Sequence, residues 1–334
     1  MSVIEVDVCV AGGGIAGMIA AISFASLGYN TVCVDPSLPV TNQLAQNADM
    51  RSTAFLQPAK KLLTEIGLWE LVEAYAAPLQ IMKIIDAGGQ EPVVRTQSEF
   101  NSSDISDQPF GWNFPNWLLR RECLTRIAQL KSLTFKTGVS VVDVMTRTDN
   151  ATVSLSNNEK IKAKLLIAAD GRASRVRAAL GIQSKTIRYG QHALAFTVTH
   201  PIPHENISTE IHRTGGPFTM VPLPDSNGLP ASAIVWMEQS SEPHAAPPIG
   251  AQGLNMSRAD IRALYDLAKT SPSDIGSTKM LSDYHNARHS DIRTRVIGID
   301  ALNRASMVSS RPLRDMRALG LNIIYGFSPI RKTL

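Results

Sequence analysis

The feature that most constrains the fold is a glycine-rich turn near the start of the chain, GGGIAG at residues 12–17. Residues 3–11 alternate between apolar and polar side chains, as in a strand that enters a sheet. An apolar, helix-like run follows the turn, and the β-branched residues 31–35 read as a second strand. The order strand, turn, helix, strand predicts a βαβ unit and therefore an α/β protein with a Rossmann-like domain.

The spacing within the turn predicts a dinucleotide site. Gly12, Gly14 and Gly17 stand in a GxGxxG pattern. The first glycine allows the tight turn, the second lets backbone N–H groups approach a pyrophosphate, and the third lets helix and strand pack closely. Asp35 ends the second strand, where a carboxylate can accept hydrogen bonds from an adenosine ribose. This pattern does not distinguish FAD from NAD.

The composition is that of a protein with a large core. The chain has 334 residues, of which 44% are hydrophobic, and this length suggests roughly two domains. The three cysteines lie in apolar stretches without CxxC spacing, so we expect buried, reduced thiols and a cytoplasmic protein. Residues 8–34 carry no charge, but acidic residues precede them and glycines interrupt them, so we expect neither a transmembrane helix nor a signal peptide.

Other segments show coarse patterns. Residues 51–75 read as helical, with an apolar stripe at Leu62, Leu63, Ile66 and Leu71. Residues 133–144, 151–155, 161–168 and 190–235 read as strand-rich, and the chain after Asn255 reads as largely helical.

Several functional classes lack support in the sequence. The pairs His200/His204 and His285/His289 are spaced i,i+4, but no third ligand clusters with either pair, so we predict no metal site. A GxSxG motif is absent. Residues 285–334 hold nine Lys/Arg against three Asp, yet no nucleic-acid motif accompanies this charge, so we predict no nucleic-acid binding.

Two further motifs separate FAD from NAD. ADGRASRVR, at residues 169–177, follows an apolar strand, and HAAPPIGAQGLN, at residues 244–255, precedes a helical pattern. Alone, each is also typical of an ordinary turn. In this order after the glycine turn, they resemble the second and third flavin motifs of the para-hydroxybenzoate hydroxylase class of flavin monooxygenases.

The resemblance extends over nearly the whole chain and is closest to the ubiquinone-biosynthesis branch of that class. DMRSTAFL, at residues 49–56, and NWLL, at residues 116–119, are similar to stretches near the cofactor in that branch. The resemblance identifies no catalytic residue; Pro248 and Arg51 are the candidates near the flavin ring. The FAD-binding residues that motif and resemblance together imply are Gly12, Gly14, Gly17, Asp35, Arg51, Asn116, Asp170, Gly250, Gly253, Leu254 and Asn255.

The implied architecture is a Rossmann-like FAD-binding domain with an inserted β-sheet substrate domain. The FAD-binding domain would be discontinuous, with residues 1–75, 105–185 and 244–334, and residues 76–104 and 186–243 would form the insert. One departure stands out. The family has Gly-Asp-Ala-Ala directly before the residue matched by His244, whereas this chain has MEQSSEP. A segment of several dozen residues expected between 239 and 244 is therefore absent, through a genuine deletion or because the sequence lacks residues that the natural chain has.

The implied function is FAD-dependent hydroxylation of the aromatic ring of a polyprenyl phenol or quinol in ubiquinone biosynthesis, with NAD(P)H and O2 as co-substrates. The alternatives are a related flavin epoxidase or reductase that acts on another lipid, and a non-catalytic remnant with impaired FAD binding. Residues 311–334 combine an apolar stripe with basic residues. They predict either a helix packed on its own domain or a peripheral contact with an anionic membrane or a ubiquinone-biosynthesis complex.

Overall fold

The computed structural model describes residues 3–87, 93–184, 186, 191–213, 216–239 and 253–306. The α-helices in this part of the chain are α1 (Ile15–Ser26), α2 (Gln57–Glu65), α3 (Trp69–Val72), α4 (Asn116–Gln129), α5 (Arg175–Ala179), α6 (Gly253–Thr270) and α7 (Thr278–Ser306). Short 3-10 turns lie at Glu73–Tyr75, Ser102–Asp104 and Pro272–Asp274.

The first sheet is built around the predicted βαβ unit. Its strands are β1 (Val3–Ala11), β2 (Thr31–Asp35), β8 (Leu133–Thr137), β9 (Val141–Thr146), β10 (Ala151–Leu155) and β11 (Lys160–Ala168). Their order is β8-β2-β1-β11-β10-β9; the pairs among β8, β2, β1 and β11 are parallel, and β9 to β11 pair antiparallel. β1 lies at the centre, with Val8 and Val10 in the apolar cluster that includes α1, and Cys9 in the cluster on the opposite face.

A second sheet holds most of the strand-rich middle of the chain. Its strands are β5 (Ile81–Asp86), β6 (Thr96–Asn101), β12 (Gln191–Thr199), β13 (Ile207–His212), β14 (Pro217–Ser226) and β15 (Leu229–Gln239). Their order is β12-β15-β14-β13-β5-β6, and among the described strand pairs of this second sheet only β13–β5 is parallel.

A three-stranded sheet joins the two larger layers. It contains β3 (Ser52–Leu56), β4 (Ala77–Leu79) and β7 (Gly111–Pro115) in the order β3-β7-β4. The buried amide of Asn113 donates to the Pro222 carbonyl of β14 at 2.8 Å and so ties this sheet to the second sheet. The helical reading of residues 51–75 is wrong at its start, because Ser52–Leu56 pairs with β7 as a strand. The helix begins only at Gln57.

The late helices return to the first sheet. β15 ends in the second sheet at Gln239, whereas α6 packs on α1 with Ile261, Leu264 and Tyr265 buried. α7 packs on α6. Residues 240–252, where we expect the missing segment, lie outside the described residues, as do residues 307–334.

The cysteines are buried and free. Cys9, Cys33 and Cys123 are inaccessible to solvent. Burial raises the pKa of Cys9 and of Cys123 to about 12, so these thiols stay protonated at neutral pH. Within the described helices, none has the length and apolarity that a bilayer-spanning segment requires.

Candidate functional site

The glycine turn has backbone constraints that explain two of its glycines. Gly12 has φ of +107°, and a Cβ there would lie 2.3 Å from the carbonyl oxygen of Ala169. A Cβ on Gly17 would lie 1.8 Å from the carbonyl oxygen of Gly12. Gly12 and Gly17 therefore allow β1, α1 and the residues after β11 to approach one another at contact distance.

Gly14 serves a different purpose, because the space in front of it is open. A Cβ built on Gly14 would find no atom within 4 Å. Gly14 is also the N-cap of α1; no side chain caps it, and the first turn of α1 has no acidic residue. The helix end thus has no side-chain cap, and the space where a Gly14 side chain would project is open, which fits the arrangement that binds a pyrophosphate.

Asp35 lies against this turn, at the carboxyl end of β2. Its Oδ2 accepts a hydrogen bond of 2.6 Å from the backbone N–H of Gly13, and its Oδ1 accepts one of 2.8 Å from Ser37. A carboxylate has about four acceptor positions. Asp35 can therefore accept further hydrogen bonds from the hydroxyl groups of a ribose that lies beside the turn.

Asp170 lies next to the same turn but directs its carboxylate towards α5. The backbone N–H of Ala169 donates to the Ala11 carbonyl at 2.7 Å and holds the end of β11 beside β1. The two carboxylate oxygens of Asp170 accept from Ser174 Oγ at 2.5 Å and from the Val176 N–H at 3.1 Å. The structure therefore gives Asp170 a capping role in its own turn.

Arg51 belongs to a second group of polar residues, centred on Asp49. Arg51 donates from Nε and Nη2 to the two oxygens of Asp49, at 2.7 and 2.8 Å. Arg120 Nη2 and Asn116 Nδ2 donate to Asp49 Oδ2 at 3.0 and 3.1 Å. The Asp49 side chain is only 9% exposed, whereas that of Arg51 is 66% exposed. Asp49 thus anchors an arginine whose outer side faces solvent.

The ionisation of Asp49 follows from these partners. Burial alone would oppose the charged form, but hydrogen bonds from Arg51 and Asn116 and the charges of Arg51 and Arg120 outweigh it. The pKa of Asp49 therefore lies below its ordinary value. The hydrogen bond to Asp49 and the charge of that carboxylate raise the pKa of Arg51 against the effect of burial, so the pair is charged at neutral pH.

The two asparagines of the predicted site hold backbone segments in place. Asn116 accepts from Thr53 Oγ1 at 2.7 Å through Oδ1, and its N–H donates to the Arg51 carbonyl at 2.9 Å. Asn255, in the first turn of α6, donates from Nδ2 to the Ala54 carbonyl at 2.9 Å. Its Oδ1 is buried and has no hydrogen-bond partner among the described residues, so it is an acceptor available to a bound group.

The structure describes only some of the remaining predicted residues. Gly253 is the first residue of α6, and Leu254 packs against the main apolar cluster. Pro248 and Gly250 lie outside the described residues. The Arg51 segment also contacts the second sheet, because Thr197 Oγ1 of β12 donates to the Met50 carbonyl at 3.3 Å.

The structure thus forms two groups from the predicted residues. The glycine turn, Asp35 and the backbone of Asp170 lie together at the carboxyl ends of β1, β2 and β11. Arg51, Asn116 and Asn255 meet around β3. Sequence reasoning missed Asp49 and Arg120; the signal for Asp49 was an acid two residues before Arg51. Among the residues described, no three His, Cys, Asp or Glu side chains cluster as metal ligands would.

Comparison with known proteins gives consistent matches. The family described as "FAD binding domain" matches residues 5–242. Ubiquinone hydroxylase UbiL of Rhodospirillum rubrum is 25% identical over 386 residues, which cover 98% of this chain and 87% of the relative. Ubiquinone hydroxylase UbiM of Neisseria meningitidis is 23% identical over 385 residues, which cover 98% of this chain and 83% of the relative.

The fold has solved counterparts. The crystal structure of p-nitrophenol 4-monooxygenase PnpA from Pseudomonas putida DLL-E4 superposes with a TM-score of 0.79 at 15% identity, covering 100% of this chain and 97% of the other. This likeness confirms the predicted fold class. Both sequence alignments are longer than the 334 residues of this chain, so the relatives carry residues within the matched stretch that this chain lacks.

Proposed function

Because the chain belongs to the family defined by this FAD binding domain and its cofactor is FAD, we propose that it hydroxylates the aromatic ring of a polyprenyl phenol or quinol in ubiquinone biosynthesis. NAD(P)H and O2 would be the co-substrates. The names of UbiL and UbiM, both ubiquinone hydroxylases, support the substrate class. The structural observation behind the cofactor part of the proposal is the open glycine turn with Asp35 hydrogen-bonded to it, and the family match assigns FAD to that turn.

The described residues fit FAD. The first turn of α1 would bind the pyrophosphate, and Asp35 would accept hydrogen bonds from the ribose. The free Oδ1 of Asn255 would accept from a donor on the cofactor. When bound, FAD supplies the redox chemistry, and the protein supplies binding, orientation and exclusion of water.

Arg51 is the described residue that we propose to act nearest the flavin ring. Asp49 fixes two of its guanidinium nitrogens, so its orientation is set before any ligand arrives. Its neighbour Met50 touches β12 through Thr197, so the Arg51 segment lies between the cofactor-binding sheet and the second sheet. We propose that the aromatic ring of the substrate binds at this junction.

Two measurements test the function. The purified protein should carry the visible absorbance of oxidised flavin and should oxidise NAD(P)H faster when a short-chain prenyl phenol is added, with one oxygen atom of O2 in the product. A deletion strain should accumulate a quinone precursor that lacks one ring hydroxyl, and the intact gene should restore the profile. A normal quinone profile in the deletion strain would exclude this role. A strain that instead accumulates another lipid would favour the related epoxidase or reductase.

The rival function, a non-catalytic remnant with impaired FAD binding, has one observation in its favour. Half of β11 has no partner strand on the side away from β1, among the described residues. A colourless protein that takes up no FAD on titration would support this rival.

We also propose a peripheral contact with anionic membrane, since a polyprenyl substrate resides in the bilayer. The basic and apolar residues of 311–334 support it, although they lie outside the described residues. Sedimentation with vesicles that contain anionic lipid should exceed sedimentation with neutral vesicles. Equal sedimentation would remove the membrane contact and leave the hydroxylase proposal intact.

A further inference from the structure

A groove lies between α6 and α7, on the side of α6 that faces away from its buried stripe. It has a volume of about 410 Å³. The charged residues in its lining are Arg258, Arg262, Arg288 and Asp266, and small apolar side chains such as Ala259 supply much of the rest. None of the described residues that we assign to FAD lines it, so this groove is separate from the cofactor site.

Arg262 is neutralised by acids on two helices. Its Nε and Nη2 bind the two oxygens of Asp266 at 2.8 and 2.7 Å. Its Nη1 donates to Glu65 Oε1 of α2 at 2.9 Å. Arg262 therefore has its carboxylate partners within the fold, and the other two arginines of the lining remain to be explained.

Arg288 is buried and lacks one acceptor. Its side chain is only 8% exposed. Nε donates to Asp260 Oδ1 at 2.7 Å, and Nη1 donates to Asp291, which also accepts from Arg295 Nε at 2.8 Å. In the part of the chain that the structure describes, Nη2 has no hydrogen-bond partner. A buried donor without an acceptor destabilises a fold, so this guanidinium would gain from a further acceptor.

Arg258 has no carboxylate partner among the described residues. Its Nη1 makes one hydrogen bond, at 3.3 Å, to the Pro58 carbonyl near the start of α2. Its Nε is buried and has no described partner. The acids around the groove are each bound by another arginine: Glu65, Asp260, Asp266 and Asp291. Arg258 is thus the arginine of the lining whose charge the fold leaves uncompensated.

The surroundings of Arg258 also oppose its own charge. Burial lowers its pKa most, and the positive charges of Arg288, Arg295 and Arg262 lower it further, while Asp291 acts in the opposite direction. An arginine nevertheless stays protonated in a protein, so a half-buried cation borders the groove. An anion in the groove would relieve this repulsion.

We propose that the groove binds a phosphate group between Arg258 of α6 and Arg288 of α7. Guanidinium groups bind phosphate oxygens strongly, and one phosphate has enough oxygens to accept from both arginines. Its negative charge would offset the uncompensated charge of Arg258. The alanines of the lining leave room for a group that carries the phosphate. A free phosphate ion, a phosphorylated metabolite and a lipid headgroup share this chemistry.

Thermal unfolding provides the first test, because the proposal predicts a change in the order of stability. Without phosphate, Arg258→Gln should unfold at the same temperature as the parent protein or higher, since it removes an uncompensated charge and keeps a donor for Pro58. Phosphate at about ten times its dissociation constant should then raise the parent by about 2 °C relative to this variant. Sodium chloride at matched ionic strength separates binding from screening.

Arg293→Gln is the matched control for the loss of one positive charge. Arg293 is an exposed residue of α7 outside the lining, so this variant should respond to phosphate as the parent does. A lower unfolding temperature of Arg258→Gln without phosphate would show that Arg258 stabilises the fold itself, which would contradict the proposal.

Calorimetric titration provides the second test and identifies the source of the phosphate. Inorganic phosphate should bind at one site near Arg258, and Arg258→Gln should weaken it about tenfold or more. FAD should leave this constant unchanged, because the glycine turn does not line the groove. Tighter binding of glycerol 3-phosphate would indicate a lipid headgroup, tighter binding of ribose 5-phosphate a nucleotide, and equal binding of all three a free phosphate ion.

Three outcomes of the titration would overturn the proposal. Equal phosphate affinity of the parent and Arg258→Gln would remove Arg258 from any anion site. Competition between FAD and phosphate would assign the anion to the glycine turn. A loss of affinity in Arg293→Gln as large as in Arg258→Gln would mean that only the overall charge matters. None of these measurements depends on hydroxylation, so the proposed function can fail while the phosphate site stands, and the reverse.

Discussion

Replacing Gly14 with aspartate should stabilise the apoprotein and weaken FAD binding at the same time. A side chain at Gly14 meets no atom within 4 Å, and the backbone there is extended, so the substitution causes no strain. Gly14 is the N-cap of α1, whose first turn lacks an acid and whose N-cap lacks a side-chain hydrogen bond. Aspartate as N-cap should add about 0.5 kcal/mol to the free energy of unfolding, through the cap and the helix dipole.

The same carboxylate would face the pyrophosphate. One pair of unit charges 4 Å apart costs about 4 kcal/mol at an effective dielectric constant near 20, which is about a thousandfold in the dissociation constant. Because Gly14 is exposed and solvent screens part of this repulsion, we expect a loss of about a hundredfold or more.

Gly14→Asn is the matched control, since asparagine caps equally well and has the same shape without the charge. The measurements are denaturant unfolding of the apoprotein and FAD titration followed by quenching of flavin fluorescence. Both variants should unfold at slightly higher denaturant than the parent protein. The FAD dissociation constants of the Asp and Asn variants should differ by about a hundredfold or more, because only the aspartate carboxylate repels the pyrophosphate. Equal constants would refute the placement of the pyrophosphate at this helix end.

Three further predictions concern the same two groups of residues. Gly17→Ala should lower the free energy of unfolding by about 2 kcal/mol or more, because its Cβ would meet the Gly12 carbonyl. Gly14→Ala, where the space is open, is the control, and denaturant unfolding of both apoproteins measures the difference. Asp35→Ala should raise the FAD dissociation constant by about tenfold to a hundredfold through the loss of a charged acceptor, and an unchanged constant would remove Asp35 from the site. Asp49→Asn should destabilise the protein above about pH 4, where the parent carboxylate is ionised in both states, and the difference should shrink as the pH falls through the lowered pKa of the folded state. Unfolding measured from pH 7 down to pH 3 tests this, and a difference that grows on acidification would contradict it.

The first half of the site was accessible from the sequence because its determinants are local. Strand alternation, glycine spacing and a terminal acid lie within residues 3–35, and one βαβ unit brings them together. The stripe Ile261, Leu264 and Tyr265 was equally readable, since helical periodicity reports the buried face directly.

The second half depended on contacts that no local pattern encodes. Ser52–Leu56 is a strand because β7, which lies 55 to 63 residues further along the chain, pairs with it, although the adjoining pattern reads as helix. Asp49 gains its role from Arg120, 71 positions further along the chain. Asp170 was interpreted through its motif, and the structure adds that its oxygens cap α5, which depends on the position of Ser174.

The pairing of β1 with β11 has a consequence for biosynthesis. Val3 pairs with Lys160 and Ala11 with Ala168, so the central strand has no partner on that side until residue 168 has been made. At 5–20 residues per second, the ribosome needs on the order of ten seconds to travel from β2 to the end of β11. Throughout that interval the nascent β1-α1-β2 unit presents an apolar strand edge to solvent, and long-range parallel pairing is slow to form afterwards. The topology therefore leaves this unit exposed to aggregation until residue 168 has been made.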